Sequence, residues 1–414
     1  MRAIVMAGGE GTRLRPLTTR HPKPMVPIVN HPMLEHTINL LKQSGIREVI
    51  ATLQYLPDVI ENYFQDGSQF GVKINYLREE KPFGTAGGVK RAEEFLDGTF
   101  IVFSGDVLSD IDLSKAIRFH QRKGAIATIL LTRVPNPIEY GVVIINKEGQ
   151  IKQFLEKPAW GEVFSDTINT GIYVLEPDVL RHVPSGIEFD FSKNLFPKLL
   201  EKGEPLFGCV GDGYWCDIGN PIQYLQANHD ALRGLIKLKI PGSEKNGVWI
   251  GLDTEIEKNV EISPPVLIGK NSRILKGAKI GELSIIGDWA TVDEMATTKR
   301  SVIWNHSLIG SKADLAGCVV GEKCHIRDGA TLLEGAVVSD ECVVGRGATI
   351  KSGIRVWPGK MIEAGSIVNM DLKWGMRWMT TLFGAYGITG LANIEITPEF
   401  ASKLGVALGS FLGR

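Results

Sequence analysis

The chain has 414 residues, too many for one ordinary hydrophobic core, so two or more domains are expected. Apolar residues make up 43% and charged residues 22% of it, and Lys plus Arg 46 against Asp plus Glu 47 leave a formal net charge of -1, which excludes a nucleic-acid binder driven by a broad basic face. Five cysteines without a CxxC pair, an N-terminal apolar run too short for a signal peptide, and no stretch of membrane-helix length predict a cytoplasmic protein without a membrane partner.

The first strand signal is RAIVMA, and it runs into MAGGEGTRLRPLT, where Gly8, Gly9 and Gly11 precede Thr12, Arg13 and Arg15. MLEHTINLLKQSG then spaces Leu34, Ile38 and Leu41 on one helical face, with Gly45 closing the helix. EVIATL, KINYL, FIVFSGD and AIATILLT read as further strands, with DVIENYF, GGVKRAEEFL and LSKAIRFHQRKG as helices. This alternation predicts an α/β domain with a mainly parallel sheet, whose ligands gather at the carboxyl ends of strands. Both AGGEGTR and SGD sit at such ends.

Three phosphate-binding readings compete for the first glycine cluster. A dinucleotide fold needs G-x-G-x-x-G, but Leu14 stands at the third glycine and PIVNHP carries no acidic residue where one is required. A Walker loop needs G-x-x-x-x-G-K-[ST], which is missing. What remains is a strand-to-helix turn whose backbone N–H groups wrap an anionic chain, with Arg13 and Lys23 as neutralising cations. FGTAGG (Phe83 to Gly88) is a second glycine turn before a helix. FSGDV places Asp106 after an apolar strand and WCDIG places Asp217 in a similar setting, where carboxylates pack poorly but ligate magnesium well. LEKP adds Glu156 and Lys157, and NTGIY adds Asn169.

Near residue 230 the texture changes to the polar connector LKIPGSEKNG, and a six-residue repeat follows. Ile250, Ile256, Ile262, Ile268, Ile274, Ile280, Ile286 and Val292 are six apart; the register breaks near ATTKRS, resumes at Ile303, slips once more and runs from Val320 to Val368. Small residues such as Ala278, Ala290, Cys324 and Ala336 recur four positions after the aliphatics. Neither a helix nor a plain strand has this period, whereas a triangular β-solenoid does. The expected division is 1–228 catalytic, 229–247 linker, 248–370 β-helix and 371–414 a further segment. In that last segment Thr397 caps and Pro398 opens a helix with an apolar stripe at Phe400, Leu404, Leu408 and Phe411. KWGMRWM, with Trp374 and Trp378, is expected at a contact or in interdomain packing.

The ordered set AGGEGTRLRPLT, Lys23-Pro24, FGTAGG, GD, YGVV, EKP, NTGIY and WCDIG resembles the sugar-1-phosphate nucleotidyltransferases over about the first 225 residues. The hexapeptide half resembles the left-handed β-helix appended to many of them, especially mannose-1-phosphate guanylyltransferases. The resemblance implies a Rossmann-like nucleotidyltransferase domain followed by a left-handed parallel β-helix. It implies that Gly8, Gly9, Gly11 and Thr12 line the nucleotide, Arg13 and Lys23 meet its triphosphate, and Gly84 and Thr85 lie near its base. Asp106 and Asp217 would hold Mg²⁺, Gly141, Glu156 and Asn169 the sugar, and Lys157 its phosphate. The implied reaction joins a nucleoside triphosphate to a sugar 1-phosphate and releases pyrophosphate, in a homo-oligomer built through the β-helix.

The residues leave base and sugar open, so a uridylyl-, thymidylyl- or adenylyltransferase acting on glucose 1-phosphate stands as the alternative. A silent regulatory homologue would not need Arg13, Lys23, Asp106 and Asp217, and a hexapeptide acyltransferase, with His306 or His325 as base, leaves both glycine loops unexplained. The tail LFGAYGITGLANIEITPEFASKLGVALGSFL resembles the opening of a phosphohexomutase domain, with Thr389 where that family has arginine. A truncated fusion with a phosphomannomutase-like domain is therefore expected, and this tips the choice toward GTP and mannose 1-phosphate.

Overall fold

The computed structural model describes residues 1–156, 159, 165–374, 377–378, 388 and 396–412. The chain divides into two compact units. The first comprises Met1–Leu14, Arg20–Gln223 and Gly234–Leu238; the second comprises Arg15–Thr19, Tyr224–Arg233 and Lys239–Arg414.

The first unit is a nine-stranded sheet with helices packed on it. Arg2–Met6 lies at its middle, parallel to Glu48–Leu53 on one side and to Phe100–Ser104 on the other. Its apolar residues Ala3, Ile4 and Val5 are fully buried, as expected of a strand covered on both faces. The sheet is mixed, because Thr167–Leu175 runs antiparallel to both Phe100–Ser104 and Ala127–Arg133. The predicted helix following the glycine turn spans Met33–Gln43 and buries Leu34, Ile38 and Leu41. Gly45 stands just beyond it at φ +82°. GGVKRAEEFL is shorter as an α-helix than its composition suggests: Gly84–Lys90 is helical, and Glu93–Phe95 forms a separate 3-10 turn.

In the second unit the hexapeptide repeat winds a left-handed parallel β-helix of three ladders with seven, eight and seven parallel strands, the first extended by Ser243–Lys245, which pairs antiparallel with Val248–Ile250. One inward column stacks Ile268, Ile286, Ile303, Val320, Val338 and Val356. A second stacks Ile274, Val292, Ile309, Ile326, Val344 and Ile362, and every one of these side chains is buried. The small residues fall at fully buried corners, among them Ala278, Ala290, Cys324, Ala336 and Ala348. Both breaks in the period are single-residue deletions in a coil, one between Thr298 and Ile303 and one between Leu315 and Val320. The ladders run through them, since Thr298 pairs with Leu315 and Ile303 with Val320.

Segments from elsewhere in the chain complete this unit. Trp304 Nε1–H donates to the buried Tyr224 hydroxyl at 2.9 Å. The Ser339 hydroxyl donates to the Pro16 carbonyl at 3.1 Å and the Arg355 guanidinium to the Arg15 carbonyl at 3.2 Å. The last helix, Pro398–Leu412, starts as read, with the Phe400 N–H bonded to Thr397 Oγ1 at 3.2 Å. Thr389 and the Trp378 side chain lie outside the described residues. No helix among the described residues is long and apolar enough to cross a membrane.

Candidate active site

The site grows from the carboxyl ends of the central strands of the first unit. Arg2–Met6 delivers the glycine turn, and Phe100–Ser104 beside it delivers Gly105 and Asp106. These two ends touch: Gly105 N–H donates to the Met6 carbonyl at 2.9 Å, and a Cβ on Gly105 would stand 2.6 Å from that oxygen. Only glycine allows so close an approach. The glycine turn differs from the expected strand-to-helix turn. Thr12–Leu14 is a single 3-10 turn, a second covers Lys23–Met25, and the first α-helix waits until Met33. An anion at this turn would therefore be held by loop N–H groups and cations, without a long helix N-terminus behind them.

A cavity of about 420 Å³ opens over these ends. Gly8, Gly9, Gly11, Thr12, Arg13 and Lys23 form one wall. Gly84 and Thr85 stand in another with Glu79, Pro82, Phe83 and Asp190, and Ser104, Gly105 and Asp106 also face it. A side chain on Gly9 would meet nothing within 4 Å, so the backbone there is open to a ligand. Gly84 has an internal reason as well: its φ is +70°, and a Cβ would clash with the Phe189 backbone at 2.8 Å. The Thr85 hydroxyl donates to Asp190 Oδ1 at 3.0 Å and accepts from Phe191 N–H at 2.9 Å, so it braces the wall.

The charged centre is a triad that the sequence separates by nearly two hundred residues. The antiparallel pairing of Val107–Ser109 with Trp215–Asp217 sets Asp217 opposite Val107, one residue beyond Asp106. The Lys23 ammonium donates to Asp106 Oδ2 at 2.8 Å and to Asp217 Oδ1 at 3.2 Å. Ser104 Oγ–H donates to the other Asp106 oxygen at 2.6 Å. Arg13 Nη2 lies 3.8 Å from Asp217 Oδ2. The Lys23 side chain is only 8% exposed, whereas Asp106 keeps 38% of its side-chain surface open to the cleft.

Charge balance follows from this packing. Burial opposes ionisation of Asp106, but the Lys23 charge and the hydrogen bonds from Lys23 and Ser104 outweigh it and hold its carboxyl below the usual range. Burial and the Asp106 charge instead push Asp217 up, against Lys23 and Arg13. Burial also works against the Lys23 ammonium, and the two carboxylates overcome it and raise its pKa. Among the described residues no three His, Cys, Asp or Glu side chains gather into a metal cage. Two converging carboxylates beside the open glycine turn nevertheless fit Mg²⁺, which takes one or two carboxylates and completes its shell with phosphate and water.

Gly141, Glu156 and Asn169 are brought near one another on adjoining strands, with Gly141 paired to Glu156. None of the three is in the described wall of the cavity. Asn169 donates to the Tyr173 hydroxyl at 3.1 Å and to Ser192 Oγ at 3.2 Å, and its carbonyl accepts from Gly171 N–H at 2.9 Å. Lys157 lies outside the described residues. Glu79 escapes a reading of the sequence because REEK looks like a solvated charge run, and Asp190 because nothing in its neighbourhood marks it. Burial pushes the Glu79 carboxyl up, against the Arg91 charge and the Phe83 amide.

The family model described as Nucleotidyl transferase matches residues 2–234, and that described as EIF2B subunit epsilon LbH domain matches 245–372. A UTP–glucose-1-phosphate uridylyltransferase of Synechocystis sp. is 41% identical over 350 residues, 80% of this chain and 90% of its own. A mannose-1-phosphate guanylyltransferase of Mycobacterium tuberculosis is 36% identical, over 67% of this chain and 76% of its own. A crystallised Bacillus anthracis protein, assigned as a glucose-1-phosphate thymidylyltransferase, superposes with a TM-score of 0.52 at 27% identity, over 58% of this chain and 97% of that one.

Proposed function

The chain belongs to the nucleotidyl transferase family and is a sugar-1-phosphate nucleotidyltransferase, and we propose that it joins GTP to mannose 1-phosphate, releasing pyrophosphate. The observation that carries the reaction is the convergence of Asp106 and Asp217 on one ammonium beside the open glycine turn.

A phosphate oxygen of the sugar phosphate attacks the α-phosphorus, and the bond to the β-phosphate oxygen breaks as pyrophosphate leaves. The attacking phosphate is already ionised, so no general base and no covalent intermediate are needed. The difficulty is bringing two anions together, and positioning with charge neutralisation answers it. In this reading the backbone of Gly8, Gly9, Gly11 and Thr12 wraps the nucleotide, while Arg13 and Lys23 offset charge on the departing phosphates. Gly84 and Thr85 flank the base. Gly141, Glu156 and Asn169 hold the sugar and Lys157 its phosphate. Asp106 and Asp217 would hold Mg²⁺, which supplies Lewis-acid neutralisation of phosphate charge when bound.

The Glu79 carboxylate supports GTP. Guanine presents two adjacent donors, its ring N–H and its amino group, which suit a carboxylate acceptor. Uracil presents a single N–H flanked by two carbonyl oxygens, which an ionised carboxylate repels. UTP with glucose 1-phosphate is the second reading, favoured by the likeness to the Synechocystis enzyme. None of the five cysteines is in a disulfide, which accords with a cytosolic location, and the β-helix is the part we assign to homo-oligomer assembly.

Pyrophosphate release, measured for each nucleoside triphosphate with mannose 1-phosphate or glucose 1-phosphate, tests the reading. The largest kcat/KM is expected for GTP with mannose 1-phosphate. Preference for UTP with glucose 1-phosphate would replace it with the second reading.

A further inference from the structure

Lys23 occupies an unusual position for a residue that meets a triphosphate. Its ammonium lies between the oxygens of Asp106 and Asp217, within hydrogen-bond distance of both. Those are the carboxylates that would hold a divalent cation. An ammonium and a dication bound to the same oxygens repel, so the two cannot be seated there together without weakening each other. The base of the side chain is fixed: Lys23 opens a 3-10 turn between Pro22 and Pro24, and its own backbone carbonyl accepts from Val26 N–H at 3.2 Å. Four flexible carbons carry the charge beyond that anchor. Lys23 also shares the cavity wall with Gly8, Gly9 and Arg13, so phosphates lying on the glycine turn come within its sweep.

Resting on the nucleotidyltransferase reading, we propose that Lys23 is an exchangeable counter-ion: it closes the Asp106–Asp217 pair until a triphosphate draws its ammonium away, so that metal and nucleotide load as one event. The arrangement has two consequences. Without nucleotide, the carboxylates are already neutralised and the metal competes with a tethered cation at high local concentration. With nucleotide, the same lysine moves from obstructing the metal to neutralising the phosphates. The enzyme then avoids holding a bare metal that would favour water or inorganic phosphate.

The test is Mn²⁺ binding to the nucleotide-free full chain, followed by the electron paramagnetic resonance signal of the free ion. Lys23→Gln keeps a hydrogen-bond donor for the carboxylates, and Lys23→Met gives a second neutral variant should the first fail to show a cooperative melt. Each neutral variant is expected to bind Mn²⁺ about tenfold more tightly than the wild type or better. Equal or weaker binding in a folded variant overturns the proposal. Adding Asp106→Asn to Lys23→Gln separates the two levels of the reading. Loss of Mn²⁺ binding in that double variant keeps the metal assignment whatever the lysine does, whereas unchanged binding removes the assignment and the proposal together.

Discussion

Asp106 is held at both oxygens, by Ser104 on one side and Lys23 on the other, yet it faces the cleft. Asp106→Asn preserves volume and the bond to Ser104 while removing the charge. Turnover with Mg²⁺ should fall by about 10²-fold to 10³-fold or more, with a cooperative melt retained. Near-normal turnover would refute the metal assignment. Glu79 tests the base: Glu79→Gln replaces an acceptor-only group by one that also donates, so the kcat/KM ratio of GTP to UTP should drop by about tenfold. An unchanged ratio would place base recognition elsewhere. The glycines, Arg13, Asp106 and Asp217 were legible in the sequence because each breaks a local rule, as a flexible turn or a charge after an apolar run. Glu79 breaks none, since a glutamate in a charged loop is ordinary until the fold turns it inward. Convergence of Lys23 with two distant carboxylates depends on the pairing of Val107–Ser109 with Trp215–Asp217, which no spacing encodes.

At the scale of elements, the β-helix was readable because its period is carried by packing. One aliphatic per side must point inward, and a small residue must fit each corner. The breaks were readable only as breaks. Thr298 occupies an inward position, fully buried and paired in register with Leu315, so the chain loses its residue after Thr298 and not at it. Its hydroxyl has no hydrogen-bond partner among the described residues. Thr298→Val keeps the shape and removes a buried, unpaired polar group, and it should stabilise the protein by about 1 kcal/mol in denaturant unfolding. A loss of stability would show that the hydroxyl is satisfied. The first glycine turn ran the other way: its composition suggested an approach to a helix, and the proline-rich stretch after it allows only short 3-10 turns before Met33.

For the whole molecule, the chain does not divide by a single cut. The second unit takes in Arg15–Thr19 and Tyr224–Arg233 besides Lys239 onward. Tyr224 is fully buried, with its hydroxyl bonded to Trp304. A chain ending at Leu238 keeps Tyr224 and loses Trp304. It should melt at a lower temperature than the full chain and bind a hydrophobic dye more strongly. An unchanged melt with no dye binding would show that the first 238 residues are self-sufficient.

The donors to Arg15 and Pro16 stand 340 and 323 residues further along the chain. A ribosome makes the glycine turn and the chain just behind it more than three hundred residues before the groups that bond that chain. At synthesis speeds of ~5–20 residues per second, the two are separated by roughly a quarter of a minute to a minute. During that interval the nascent chain carries its glycine turn without Ser339 and Arg355 behind it, so the finished form of this segment waits on residues made far later in the chain.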